Sequence, residues 1–312
     1  MCITVEADMI ERTPILNFFT HLILLLGFLV AVGPIVIVAI AASHNIADVN
    51  KVPMSLMPGS DFWVNMQTAW TTANLGPKLL NSLIFASGVA IGKVLISAIT
   101  AFSLVYFRYP GRHFIFWLVF ITLMLPLEVR IVPTYAVAAN VLSPFQGILD
   151  VTGITWLIGK LTGVEVALNF GLLNSSIGLI LPLIATATGT FLYRQFFLTI
   201  PDELTEAARM DGAGSLRFFI DILLPLSRTN MAALGTIMFL WAWNQYLWPL
   251  LVTTDPAHMT AVHELKALIP NFGGLPEWHI AMAGTLIVML PPLVVVIVMQ
   301  RWFVRGLIAT EK

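Results

Sequence analysis

Three groups of residues in this 312-residue chain have types and spacing suited to chemistry, and in each the chemistry is recognition rather than bond-making. The first is Glu206-Ala207-Ala208-Arg209-Met210-Asp211-Gly212, followed ten residues after the glycine by Ile222 and then by Leu224-Pro225. Glu206 offers a carboxylate to a basic partner. Ala207 and Ala208 keep a helix slim enough to lie in another protein's groove, and Gly212 stops it. The second group is Lys93, Glu128 and Arg130, ionisable residues inside apolar runs, where such a side chain marks a functional site by default. Glu128 and Arg130 are two apart and do not face one another on a helix. Two readings stand for this group: a Lys93–Glu128 pair between helices, or an anionic phosphate passing Lys93 or Arg130. The third group is Trp243, Asn244, Tyr246 and Trp248, which either line a polyol path by stacking and hydrogen bonding or anchor a span end at the membrane interface.

Reactive constellations are missing from the sequence. There is no Gly-x4-Gly-Lys-Ser/Thr loop, and Gly212-Ala213-Gly214 lacks the strand and lysine of a phosphate cradle. The six histidines, at 21, 44, 113, 258, 263 and 279, show no ligand spacing, and no Gly-x-Ser-x-Gly elbow occurs. His21 reads as an interfacial histidine. The expectation is a non-catalytic chain with no metal and no cofactor of its own. Sixteen Lys and Arg against seventeen Asp and Glu give no basic field for nucleic acid. The lone Cys2 cannot form an internal disulfide and has no lipidation signal before it.

The elements that must position these groups follow from composition. Apolar residues make up 58% of the chain, charged residues only 11%, and mean hydropathy is +0.88, against roughly 25% charge in soluble domains. That much apolar surface calls for a bilayer, which a helix crosses with about 20 apolar residues. The apolar runs predict six spans, near His21–Ala42, Ser82–Phe107 (interrupted by Lys93), Phe114–Ala139 (across Glu128 and Arg130) and Ile177–Phe197, and within Thr229–Thr254 and Trp278–Gln300. Only helices satisfy their backbone within such segments. The fold class is therefore all-α, a polytopic membrane protein with six transmembrane helices.

Between the fourth and fifth spans, Thr199 is placed to cap a helix that opens with Pro201, with Asp202 and Glu203 at the positive end of its dipole. Gly212 and Gly214 stop it, Ser215 caps a second short helix to about Leu223, and Pro225 breaks that helix before the fifth span. The alternative is an amphipathic helix resting on the headgroups. Positive charge sets orientation. With both termini inside, Arg12, Arg108, Arg112, Arg194, Arg209, Arg217, Arg228, Arg301, Arg305 and Lys312 fall on the cytoplasmic side, and only Lys51, Lys78, Lys160 and Lys266 fall opposite. The first apolar run is too long for a removable leader and lacks a small-residue cleavage site, so it is expected to stay as an anchor.

The Glu206 stretch resembles the EAA loop of ABC-importer permeases, where a membrane subunit docks on its ATPase. Asn81-Ser82-Leu83-Ile84, Phe107-Arg108-Tyr109-Pro110-Gly111-Arg112, Gly178-Leu179-Ile180-Leu181-Pro182, Arg194-Gln195-Phe196-Phe197, Ile200-Pro201-Asp202-Glu203-Leu204 and Trp243 through Leu250 resemble successive signatures of the maltose-type carbohydrate-importer permeases. The resemblance covers about residues 79 to 306. Within the family, the stretches Ile121–Ile131, Asn244-Gln245-Tyr246-Leu247-Trp248-Pro249 and Met299–Leu307 resemble the branch importing sn-glycerol 3-phosphate.

The resemblance implies a type I importer-permease fold, with residues 79–303 as the transmembrane domain, the loop 201–225 as its coupling element and tails at 1–14 and 304–312. It implies Glu206, Ala207, Ala208, Asp211, Gly212, Ile222 and Pro225 as ATPase-coupling residues. It also implies a homologous second permease, two ATPase subunits that bind ATP and Mg, a periplasmic binding protein, and a multi-pass place in the bacterial inner membrane. The implied substrates are glycerol 3-phosphate and glycerophosphodiesters, with a neutral sugar or polyol as the neighbouring choice. A secondary transporter would instead show paired repeats or broken helices and no docking loop. Two departures stand out. Residues 145–170 form an insertion before Gly171-Leu172-Leu173-Asn174-Ser175, in which Ile154–Gly159 is too short to span and reads as a periplasmic re-entrant or surface element. Residues 1–8 precede the start expected at Met9-Ile10-Glu11.

Overall fold

The structure, a computed structural model, describes residues 14–121, 125–163, 167–185, 187–269 and 275–309. The readings placed on residues 1–13, 122–124, 164–166 and 310–312, including the tail ends with Arg12 and Lys312, lie outside the described residues. Two units divide the chain, one formed by residues up to Thr72 with Leu268–Ile287, the other by Ala73–Ala267 with the segment from Val288 on.

In the first unit, helix α1 (Pro14–Ser43) has 30 residues, about 45 Å at 1.5 Å per residue and ample for a hydrocarbon core of about 30 Å. Most of its side chains are exposed and apolar, as lipid-facing ones must be. Its end is tied to α2 (Phe62–Thr72), where the buried Asn65 amide donates to the carbonyls of Ala42 (2.9 Å) and His44 (2.8 Å). These bonds satisfy carbonyls that the end of α1 leaves without helical partners.

The second unit is organised on α3 (Leu75–Tyr106), 32 residues long. Its packed face carries small side chains, Ala86, Ala90, Ser97, Ala98 and Ala101, which let neighbouring backbones come close as membrane helices require. Gly189 lies directly on Ser97, and a Cβ there would meet the Ser97 hydroxyl. Along the chain follow α4 (Arg112–Ile121), α5 (Leu127–Ala139), α6 (Ser143–Val151) and α7 (Ile154–Thr162). Next come α8 (Ser176–Leu183) and α9 (Ala187–Phe197), whose axes differ by 49°, then α10 (Asp202–Met210). Helices α11 (Ser215–Leu226) and α12 (Arg228–Trp243) meet at 73°, followed by α13 (Leu247–Val252) and the long α14 (Trp278–Ala309). Helices α9 and α12 pack on α3.

Among the described residues three helices are long and apolar enough to cross a membrane, and five if each bent pair counts once. The third expected span is divided between α4 and α5. Within the run Thr229–Thr254 that contains the fifth, α12 ends at Trp243, the Asn244 N–H still bonds the Leu240 carbonyl, and the six-residue α13 follows before Thr254. Helices α6 and α7, nine residues each, reach only about 14 Å, as expected of an insertion that cannot span.

One end of α3 is latched to the segment following α13. Lys78 Nζ pairs with Glu264 Oε1 at 2.7 Å, with the two side chains 10% and 15% exposed, and also donates to the Ala73 carbonyl. Asn81 donates to the carbonyls of Ala257 and Met259, and the Ser82 hydroxyl accepts the Ala261 N–H.

Candidate functional site

Helix α10 starts at Asp202 with Pro201 before it, so its first two carboxylates, Asp202 and Glu203, meet the positive end of the dipole and Arg209 meets the negative end. Thr199 does not cap it, because its hydroxyl turns back to donate to the Phe196 carbonyl at 2.7 Å. The stop is built as expected. Gly212 sits at φ +74°, its N–H bonds the Arg209 carbonyl (3.0 Å), and the Ala213 N–H reaches the Ala208 carbonyl (2.9 Å). This crossed pair is the Schellman closure, and its left-handed position favours glycine.

The second helix corrects two expectations. Gly214, not Ser215, occupies its cap position, and the helix runs past Leu223 and through Pro225 to end at Leu226. The chain runs through a π turn over Phe219–Leu223 and bends after Leu226 instead. There the fully buried Ser227 hydroxyl donates to the Leu223 carbonyl at 2.6 Å.

The alanines also divide. Ala208 is buried against the chain's own Phe102, Tyr106 and Phe218, whereas Glu206, Ala207, Asp211 and Gly212 are exposed. One alanine seats the helix and the other leaves it bare. Ile222 is half-buried and Pro225 exposed. The seat is aromatic: Phe102 lies 4.8 Å from Phe219, and Tyr106 lies 5.3 Å from Phe218 and 6.2 Å from Phe197, distances at which ring pairs attract. Among the described residues Glu206 has no ion-pair partner.

A cavity of about 460 Å³ opens beside α3, within the range of small-molecule sites. It is lined by Lys93, Arg130, Trp241, Thr100, Thr188 and Leu118 among others, and among the described residues no carboxylate lines it. The Lys93–Glu128 pair is not formed. Glu128 is exposed in the first turn of α5, where the helix dipole accommodates it. Lys93, 5% exposed, instead places Nζ over the Trp241 ring, 3.5 Å from its centroid. The buried Nε of Arg130 has no hydrogen-bond partner among the described residues.

The tryptophans expected on a path or at an interface are core residues. Trp243 is 2% exposed and stacks on Phe239 at 5.7 Å. Trp248, fully buried, donates its indole N–H to the Leu179 carbonyl at 3.1 Å. Asn244 is exposed and folds its amide back onto the Leu240 carbonyl. Tyr246 meets His263 edge-on at 6.0 Å, and burial pushes that imidazole below its ordinary range. None of these four lines the cavity.

Residues 93–309 match the family model described as binding-protein-dependent transport system inner membrane component. The chain belongs to this family. The permease is 44% identical over 310 residues to the sn-glycerol-3-phosphate transport system permease proteins UgpE of Yersinia pestis bv. Antiqua, Yersinia enterocolitica and Escherichia coli O1:K1, with 97% of this chain and 100% of each relative covered. It also superposes, with a TM-score of 0.69 and 17% identity, on a chain from the crystal structure of a bacterial ABC transporter involved in the import of the acidic polysaccharide alginate, covering 97% of this chain and 100% of that one. That likeness establishes the importer-permease fold. The permease is thus a non-catalytic, multi-pass inner-membrane component of a transport system that works with a binding protein.

Trp241 was not among the expected site residues of the permease. Helical geometry narrows the choice without making it: Trp241 and Trp243 are about 200° apart on α12, so they cannot share a face, and packing decides which of them is core. With Trp243 in the core, Trp241 is the ring left for the cavity.

Proposed function

We propose that this permease forms half of the translocation path of an ATP-driven importer for sn-glycerol 3-phosphate and glycerophosphodiesters, and couples to its ATPase through the 201–225 loop. The substrate reading is supported by near full-length similarity to permeases that bear that substrate's name. The coupling reading rests on one observation: α10 is closed at its C-terminal end, seated through Ala208, and turns Glu206, Ala207 and Asp211 outward, leaving a carboxylate unpaired among the described residues. A basic groove of an ATPase is the partner that fits.

The assembly in this reading contains a homologous second permease, two ATPase subunits binding ATP and Mg, and a periplasmic binding protein. Six spans hold the permease in the bilayer with both termini in the cytoplasm, residues 79–303 forming the transmembrane domain. Closure of the ATPase pair moves α10, and the seat passes that movement to the helices, a two-state switch biased by nucleotide.

The test is Glu206→Lys in the assembled complex. Replacing attraction by repulsion across a partly desolvated interface costs docking on the order of tenfold or more. The expected outcome is loss of binding-protein-dependent uptake with reduced co-purification of the ATPase. Normal uptake and normal ATPase retention would remove the coupling role.

A further inference from the structure

We infer that the cavity beside α3 is a transit site for the phosphoryl end of the substrate, held between Lys93 and Arg130. It presupposes that the chain is an importer permease for a phosphate ester. Both residues line one cavity, and among the described residues no carboxylate lines it to balance either positive charge. An unbalanced buried cation is costly, and chains keep one inside a membrane for ion or substrate traffic. The Nε of Arg130 is buried and unpartnered, leaving a donor of the guanidinium fork that matches phosphate oxygens. Trp241 acts as a positioning residue. Its ring face lies 3.5 Å from Lys93 Nζ, which holds the ammonium without neutralising it, because a cation–π contact brings no counter-charge.

The remaining lining suits the rest of such a ligand. Thr100 and Thr188 present hydroxyls, and Ile96, Leu118 and Ile237 present aliphatic wall. The volume of about 460 Å³ equals roughly fifteen waters at about 30 Å³ each, room for a glycerol phosphate with part of its hydration. A diester keeps one negative charge and two free oxygens, so the same two cations serve it. A neutral sugar would leave both cations unpaired and is disfavoured.

Two measurements on the assembled complex test the site. In the first, uptake of sn-glycerol 3-phosphate is compared for wild type, Lys93→Gln, Arg130→Gln and Trp241→Leu, with Lys160→Gln as the control for an equal loss of charge elsewhere. Co-purification of all subunits verifies assembly. The two cation variants are expected to lose tenfold or more in uptake, Trp241→Leu a few-fold, and Lys160→Gln nothing. In the second, Ile237→Cys in a Cys2→Ser background is labelled with an anionic sulfonate and a cationic trimethylammonium methanethiosulfonate. The anionic reagent is expected to react at least tenfold faster. That preference should disappear in Lys93→Gln with Arg130→Gln, and sn-glycerol 3-phosphate should slow the labelling. Absence of an anionic preference, or wild-type uptake in both assembled cation variants, overturns the site while leaving wild-type uptake and the importer reading intact. Absence of glycerol 3-phosphate uptake by wild type, with the anionic preference present, removes the named substrate and keeps the anion site.

Discussion

Substitutions at Gly212 separate the geometry of the coupling loop from its charge. Its φ is +74°, and a Cβ added there would meet nothing within 4 Å. A side chain at this position is therefore penalised through the backbone alone. For alanine the left-handed conformation costs about 1–2 kcal/mol. Each 1.4 kcal/mol is tenfold, so a partner that binds only the closed loop loses roughly 5- to 30-fold in affinity. Asparagine, which tolerates this region, should lose less. Proline fixes φ near −65° and removes the N–H that bonds the Arg209 carbonyl; at about 3 kcal/mol or more its cost should abolish docking. The expected order of ATPase co-purification and of vesicle uptake is Gly, Asn, Ala, Pro, with Gly212→Lys close to alanine because there is space for it. A Gly212→Pro permease that transports normally refutes the view that Schellman closure sets the position of α10. An effect that follows side-chain size instead of φ preference refutes the backbone origin of the penalty.

Two further outcomes are expected. Reporter fusions after Arg217 and at the C-terminus should be active only in a cytoplasmic assay and one at Thr162 only in a periplasmic assay; a periplasmic signal after Arg217 would overturn the orientation. Removing one partner of the nearly buried Lys78–Glu264 pair, as in Glu264→Leu, should destabilise the complex by about 3 kcal/mol, since it leaves the other charge in a poorly hydrated place. Lys78→Met with Glu264→Leu should recover most of that in thermal unfolding, and strictly additive losses would show that the pair is not coupled.

The apolar runs made α1, α3 and α14 legible, because a long stretch without charge has few alternatives to a helix. Gly212 was legible for a different reason: a glycine after a helical stretch is the residue that a left-handed closure favours. What the sequence concealed lies where several conformations satisfy one composition. Helix α12 ends at Asn244-Gln245 inside a run that carries no charged residue, so charge alone does not mark its end. Trp243 and Trp248 carry the same ring whether it faces headgroups or core, and only packing against Phe239 and Leu179 decides for the core. Lys93 and Glu128 invite pairing by sign, yet α5 begins so that Glu128 sits in its exposed first turn, while Trp241 occupies the place beside the ammonium. Capping by Thr199 failed because its hydroxyl bonds the Phe196 carbonyl, and Ser215 is the first residue of its helix, one place past the cap.

The cavity and the loop seat share two helices. On α3, Lys93 lines the cavity and Phe102 meets the loop at Phe219; nine residues separate them, about 14 Å along one continuous helix. On α9, Thr188 lines the cavity, and Phe197, nine residues on, closes the seat against Tyr106. Between these points the helices are interlocked where Gly189 lies on Ser97, so little sliding is available to absorb a displacement. A movement imposed on α10 therefore reaches Lys93 as a rigid shift or tilt of α3 and α9 together. This geometry makes Gly189→Leu a separate test of transmission: the loop and the cavity cations stay chemically intact while the two helices are forced apart. Such a permease should retain its ATPase and lose uptake, and it should keep the anionic preference at Ile237→Cys. Uptake at the wild-type level in that variant would mean that the movement reaches the cavity by another route.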